Sequence, residues 1–311
     1  MAEHVVVTVP TEHLVADVRR ELDPSLDVDV VLWSPDENPP VERADMVVMP
    51  YMAKPGSMAE HLAALAPRLV QGQSIGYDDV HAYLPDGLPF ANASSVHETA
   101  TAELTIGLIL MAQRQLADFV RQQDRAEWTK SWSRGLADRR VLLLGYGGVG
   151  KAIASRLAPF EVEIVPVASS ARVEDGVQVH ALGELHDLAP TAEILINALP
   201  GGDATRHIID DTVLSALPDD ALVVNVGRGT SVDTDALVDH VRRGRIRMAS
   251  DVFDPEPLPA DHPLWSLPGS IVAPHAGGIS RAMFTRIARL VAAQAGRLAR
   301  GEAPTNVVLG G

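Results

Sequence analysis

The sequence contains no cysteine, which excludes disulfides, thiol catalysis and cysteine-ligated metal centres. Aromatic residues make up only 4% of the chain and basic charge is carried almost wholly by arginine. The formal net charge is −15, which argues against a nucleic-acid surface, since that would want a basic face. Long apolar runs are also missing. The most apolar helical stretch, Leu104 to Ala112, is too short to span a bilayer and has Glu103 before it. The N-terminus runs Met1-Ala2-Glu3-His4 into Val5-Val6-Val7 without a basic region, so no signal peptide is expected. A cytoplasmic protein with no membrane and no nucleic-acid partner is the expectation. No metal site is expected either.

What is present is the composition of an ordered globular protein: 311 residues, 46% hydrophobic and 22% charged. That length accommodates two domains. Short apolar runs alternate with helical patterns from the start. His4–Val9, Val28–Trp33, Asp45–Met49 and Arg68–Gln73 read as strands, with helices at Glu12–Leu22 and Met58–Leu65. A long helix is predicted from His97 to Arg121, with Leu104, Leu108, Met111 and Leu116 as its apolar stripe. A second series of strands follows, at Val141–Leu144, Val162–Val167, Ile194–Ala198, Leu222–Val226, Met248–Val252 and Ile271–Val272. Helices are predicted at Thr212–Leu217 and Thr234–Arg243. A final amphipathic helix, Arg281–Arg300, carries Phe284, Ile287, Val291, Ala295 and Leu298 on one face and is expected to pack back on the first domain. The fold class is therefore α/β, with two doubly wound parallel-sheet domains. The predicted division is 1–97 plus 281–311 for one domain and 98–280 for the other.

Gly145-Tyr146-Gly147-Gly148-Val149-Gly150 follows a buried strand and opens a helix. In a dinucleotide-binding turn Gly145 permits the tight bend, Gly147 lets backbone approach a pyrophosphate, and Gly150 lets helix and strand pack closely. The helix N-terminus adds unpaired N–H groups and a positive dipole end. Ligands of doubly wound sheets collect at the carboxyl ends of strands, and three later strand ends carry reactive groups: Arg228 between Gly227 and Gly229, Glu256 between Pro255 and Pro257, and His275 after Pro274. Singly, these read equally as a loop arginine, a solvated turn and a capping or core histidine. Together they suit a small carboxylated carbonyl compound. Arg binds carboxylate bidentately and polarises a carbonyl, His moves the proton, and Glu orients His and favours its imidazolium.

These segments, in order and spacing, resemble the D-isomer-specific 2-hydroxyacid dehydrogenases. The resemblance rests on the glycine motif, Asn225-Val226-Gly227-Arg228-Gly229, Asp251-Val252-Phe253 with Glu256-Pro257, and Pro274-His275 with Gly277-Gly278. Ser74-x-Gly76-Tyr77-Asp78, Ala102-Glu103-Leu104, Leu199-Pro200 through Thr205-Arg206, and His262-Pro263-Leu264-Trp265 extend it over nearly the whole chain. The resemblance implies a flavodoxin-like substrate domain, a Rossmann-type cofactor domain and an interdomain cleft. It implies Arg228 on the substrate's carboxylate and carbonyl, His275 as acid/base and Glu256 as its partner. It places the Ile75 and Gly76 N–H groups on the carboxylate and Asp251 on the nicotinamide carboxamide. Val226, Gly227, Gly277, Leu199, Pro200 and Thr205 fall in the cofactor set. Formate dehydrogenases of the superfamily carry Gln where this chain has Glu256, which speaks against that activity. A homodimer is also implied.

One departure concerns the cofactor. NAD-dependent members carry an Asp at the end of the second strand to accept from the ribose 2′-OH. Here Ala168 stands there, followed by Ser169, Ser170 and Arg172. Loss of the carboxylate removes repulsion toward a 2′-phosphate, and the new groups supply donors and charge. NADP(H) is predicted over NAD(H), unless Glu174 or Asp175 takes the acid's place. The loop Pro50-Tyr51-Met52-Ala53-Lys54-Pro55, with Tyr51 and Met52, and His97 are expected to select the substrate side chain. Glyoxylate, hydroxypyruvate or a short aliphatic 2-oxo acid is the expected substrate. The alternative is a nucleotide-sensing corepressor of the same fold, which binds partners and turns nothing over.

Overall fold

The computed structural model describes residues 3–52 and 58–310; of the loop expected to select substrate, residues 53–55 lie outside them. The chain runs β1 (Val5–Val9), α1 (Glu12–Glu21), β2 (Val28–Leu32), β3 (Met46–Val48), α2 (Met58–Leu65), β4 (Leu69–Gln71) and β5 (Phe90–Ala91). It continues through α3 (Glu98–Gln113), α4 (Leu116–Asp124), β6 (Arg140–Leu144), α5 (Gly148–Leu157), β7 (Glu163–Ala168), β8 (Arg172–Glu174) and β9 (Val177–Ala181). Next come α6 (Leu185–Leu188), β10 (Ile194–Asn197), α7 (Asp211–Ala216), β11 (Ala221–Asn225) and α8 (Thr234–Arg242). Last are β12 (Ile246–Ser250), β13 (Ser270–Val272), α9 (Ala282–Ala299) and β14 (Val307–Leu309). Two compact units result: Met1–His97 with Ile279–Gly311, and Glu98–Gly278.

The first unit is built on a six-stranded sheet in the order β14-β5-β4-β3-β1-β2. Its strands are parallel except β14, which runs antiparallel to β5. Order reverses at β1, as in other doubly wound sheets. Helices α1 and α9 cover one face, burying Leu14, Val15 and Val18 against Ile287, Val291, Ala295 and Leu298. Phe284 departs from the expected stripe. It is 46% exposed and meets His13 edge-on, because the buried side of the first turn is set by Met283 and Ile287 instead.

The second unit carries an eight-stranded sheet in the order β13-β12-β11-β10-β6-β7-β9-β8. From β13 to β9 every pairing is parallel. Strands β10 and β11 are buried at every residue, as expected of strands covered on both faces. The order reverses at β6, so the turn after β6 sits at the switch point where ligands of such sheets bind.

Two predicted elements differ. The helix expected over 97–121 is two helices, α3 and α4, separated at Gln115, whose φ is +57°. No Gly or Pro marks the break. Instead the buried Gln113 side chain donates to Gly135 O and accepts from Arg247 on β12, so tertiary partners end α3 there. The expected stripe is correspondingly wrong in part: Leu108 is buried, but Met111 and Leu116 are exposed, and Thr101, Thr105 and Ile109 share the buried side. Beyond β7 the chain forms the hairpin β8–β9, turning at Asp175-Gly176, both with positive φ. Such a turn suits the right-handed twist of its strands.

Candidate active site

The glycine turn is shaped by close packing on one side and open space on the other. Gly145 has φ +95°, and a Cβ there would lie 2.7 Å from Ala198 O at the end of β10. A Cβ at Gly150 would lie 1.9 Å from Gly145 O. Both glycines are therefore required by the protein itself. Gly147 is different: a Cβ there meets no protein atom within 4 Å. That open space adjoins the first turn of α5, whose unpaired N–H groups suit an anion. Gly148 and Val149 complete that turn, and Tyr146 lies 6.0 Å from the Lys151 ammonium. The residues present thus fit a dinucleotide pyrophosphate.

Beside this turn, β7 ends at Ala168, and Ser169 and Ser170 are exposed. Arg172 is held by a neighbour. Its Nε and Nη2 donate to Glu174 Oε2 at 3.0 and 2.8 Å, while Lys151 Nζ lies 2.5 Å from Glu174 Oε1. These cations, Lys151 first, hold the Glu174 carboxyl below the usual range.

At the ends of β10 and β11 two buried asparagines tie the loops together. Asn197 Nδ2 donates to Asn225 Oδ1, which also accepts from Gly227 N. Asn225 Nδ2 donates to Arg228 O, and Asn197 Oδ1 accepts from Leu199 N. The sequence motifs contain Asn225 but not its partner Asn197. The available signal was an Asn at the carboxyl end of two adjacent apolar strands. Leu199 is buried, Pro200 exposed, and Thr205 Oγ1 donates to Pro200 O at 2.8 Å, closing that loop. Val226 and Gly227 are buried beneath, with a Gly227 Cβ placed 2.6 Å from Leu199 O.

Strands β11, β12 and β13 are neighbours, so their carboxyl ends bring Arg228, Glu256 and His275 to one edge. A Cβ on Gly229 would stand 1.9 Å from Phe253 C and O, so the Arg228 loop lies directly on the segment leading to Glu256. Arg228 is half-buried, and Nη1 donates to Gly227 O. Glu256 Oε1 accepts from Phe253 N and Oε2 lies 2.7 Å from His275 Nδ1. Burial alone would raise the Glu256 carboxyl. The His275 hydrogen bond, the Phe253 N–H and the charges of His275 and Arg228 outweigh it and leave it below the usual range. His275 is raised above the ordinary imidazole value by the Glu256 hydrogen bond and charge, against burial and the repulsion of Arg228. An ionised Glu256 accepts from Nδ1–H, which leaves Nε2 as the working nitrogen.

Asp251 is 2% exposed and turned to the histidine loop. Its Oδ1 accepts from Ala276 N and its Oδ2 from Gly277 N, while its backbone O accepts from His275 N. Burial raises its carboxyl, and the two N–H donors oppose that. These bonds hold His275 at φ +51°, a region costly for a non-glycine residue. Its contacts within the protein are those of a loop anchor.

The remaining predicted residues belong to the first unit. Ile75 and Gly76 follow β4 in a turn held by Asn92 Nδ2 donating to Ile75 O. Met52 is exposed with φ +54°. Tyr51 stacks on His97 at 5.7 Å, and His97 is buried, its Nε2 2.6 Å from Gln73 O. His97 therefore fastens the loops after β3 and β4 to each other. Among the described residues no cluster of potential ligands could hold a metal ion, and no helix is long and apolar enough to cross a membrane.

Two parallel α/β units, one with a glycine turn at its switch point and an Arg–Glu–His edge, define a nicotinamide-dependent oxidoreductase of Rossmann type. Residues 106–277 match the model of the D-isomer specific 2-hydroxyacid dehydrogenase NAD binding domain. A glyoxylate reductase of Aeropyrum pernix is 33% identical over 299 residues, 90% of this chain and 89% of that one. An uncharacterised protein of Corynebacterium melassecola is 37% identical over 193 residues, spanning 60% of this chain and 63% of its own length. A D-isomer specific 2-hydroxyacid dehydrogenase of Xanthobacter autotrophicus Py2, solved with NADPH and MES, superposes with a TM-score of 0.81 at 26% identity over 99% of each chain. The chain belongs to the D-isomer specific 2-hydroxyacid dehydrogenases, oxidoreductases that act on the CH–OH group of donors.

Proposed function

We propose that the protein reduces a small 2-oxo acid to the D-2-hydroxy acid, with NADPH preferred over NADH and glyoxylate or hydroxypyruvate as the substrate class. The observation that carries the reading is the His275–Glu256 pair at 2.7 Å beside the Arg228 loop. When bound, the nicotinamide supplies the hydride. Arg228 binds the substrate carboxylate and draws charge from the carbonyl. His275, held protonated by ionised Glu256, delivers a proton from Nε2 to the carbonyl oxygen. Asp251 keeps the loop of His275 in place. Gly145, Tyr146, Gly147, Gly148, Val149 and Gly150 hold the pyrophosphate, with Leu199, Pro200, Thr205, Val226, Gly227 and Gly277 around the rest of the cofactor. Ser169, Ser170 and Arg172 face the 2′-phosphate. Backbone N–H groups of Ile75 and Gly76 donate to the carboxylate, and Tyr51 and Met52 shape the side-chain pocket.

The glyoxylate reductase relative and the NADPH-bound structure support this substrate and this cofactor. The test is NADPH oxidation followed at 340 nm with a panel of 2-oxo acids and His275→Ala as control. Loss of about 10²–10⁴-fold in kcat on removing the acid is expected. Equal rates in both proteins would refute the assignment of His275, and no turnover of any 2-oxo acid would favour a binding protein.

The protein is also proposed to be a homodimer. Helix α4 buries none of its residues, and Trp128 and Trp132 after it are 92% and 100% exposed, a cost in water that a partner surface would remove.

A further inference from the structure

Two cations that meet at β8, Lys151 and Arg172, are already paired to one internal carboxylate. Lys151 lies in the first turn of α5, and Arg172 opens β8, which the chain reaches directly from the end of β7 beside the glycine turn. Glu174 stands two residues on along the same short strand and bridges both, one carboxylate oxygen to each. The hairpin turn at Asp175-Gly176 sets that spacing, since it pairs Glu174 with Val177 and Arg172 with Val179. Arg172 and Glu174 therefore lie on the same side of the strand. All three groups remain partly exposed, so an incoming phosphate can reach them.

We infer that Glu174 is an internal counter-ion for the Lys151–Arg172 cation pair, displaced by the 2′-phosphate of NADPH, and that it thereby sets the strength of discrimination between NADPH and NADH. The inference rests on the proposed nicotinamide-binding reading. The phosphate offers more negative charge and more acceptor oxygens than one carboxylate, so exchange of partners is favourable for NADPH. A free 2′-hydroxyl cannot replace the carboxylate, so NADH leaves the pairs intact and gains nothing from the two cations. Glu174 stabilises the empty site and moderates affinity for NADPH; it does not itself contact the cofactor.

Calorimetric titration with NADPH and with NADH tests this on the wild type, Glu174→Gln and Arg172→Ala. Exposed ion pairs are weak, each worth up to about a factor of five. Glu174→Gln is thus expected to tighten NADPH about three- to tenfold and to change NADH by less than twofold, while Arg172→Ala loosens NADPH alone. An unchanged NADPH affinity in Glu174→Gln overturns the inference. So does weakened NADH binding, which would make Glu174 the acceptor of the ribose hydroxyl. Should Glu174→Gln melt at a lower temperature than wild type, Glu174→Ser is read by the same criteria. If the wild type binds neither nucleotide, the nicotinamide reading falls together with the inference.

Discussion

Gly147 and Gly150 belong to one motif, yet their surroundings predict opposite results for the same substitution. In Gly150→Ala the new methyl would lie 1.9 Å from Gly145 O, whereas ordinary Cβ contacts begin at 3.4 Å. The deficit is about 1.5 Å, and the atom it meets is backbone, which cannot rotate aside. Helix α5 has to withdraw from the end of β6, and such overpacking costs about 1–3 kcal/mol. For a unit of this size each kcal/mol lowers Tm by about 2–4 °C, so a loss on the order of 5 °C is expected. In Gly147→Ala the methyl meets no protein atom within 4 Å, and the backbone there, φ −89° and ψ −158°, is one that alanine adopts freely. Its Tm should stay within about 1 °C of wild type or rise slightly, because the unfolded chain loses freedom. On the proposed reading the pyrophosphate meets the turn at that methyl, so NADPH should bind at least about tenfold more weakly. Nucleotide-free scanning calorimetry and NADPH titration measure the two effects separately. Wild-type NADPH affinity in Gly147→Ala, or a fall in its Tm matching that of Gly150→Ala, would refute the assignment of Gly147 to the ligand.

Further expectations follow from the His275–Glu256 pair and from α4. Because the proposed 2-oxo acid reduction draws its proton from His275, its rate should be lost as pH rises through the raised His275 value, and the reverse oxidation should gain over the same interval. Glu256→Gln removes the charge that raises His275, so the alkaline limb of the reduction profile should move to lower pH and kcat should fall; an unmoved limb in steady-state pH profiles would sink the pairing argument. Sedimentation velocity should show a dimer for the wild type and a shift toward monomer for the Trp128→Ala, Trp132→Ala double variant; a monomeric wild type would exclude the proposed interface.

The strands were legible because their runs are apolar at consecutive residues: β10 and β11 are buried on both faces, and the chain had no other way to hide Ile194–Asn197 or Ala221–Asn225. The position of Arg228, Glu256 and His275 at strand ends was legible for the same reason. The end of α3 was not, since it depends on Arg247 and Gly135, far along the chain, claiming the Gln113 side chain. Nor was the packing of the His97 ring against Tyr51 and Gln73 O, since those partners lie 46 and 24 residues away in the chain.

Local pattern and residue chemistry by themselves determined the α/β class, the glycine turn and the identity of the groups able to bind a carboxylate and move a proton. Those follow from periodicity, backbone freedom and functional-group type, which are properties of neighbours in the chain. Only tertiary structure decided which charges are paired. Sheet order brought Glu256 to His275, buried Asp251 turned to hold the backbone from His275 to Gly277, and a two-residue hairpin turn delivered Glu174 to Lys151 and Arg172. Each of those contacts falls off steeply with distance, and distance between residues remote in sequence is set by packing.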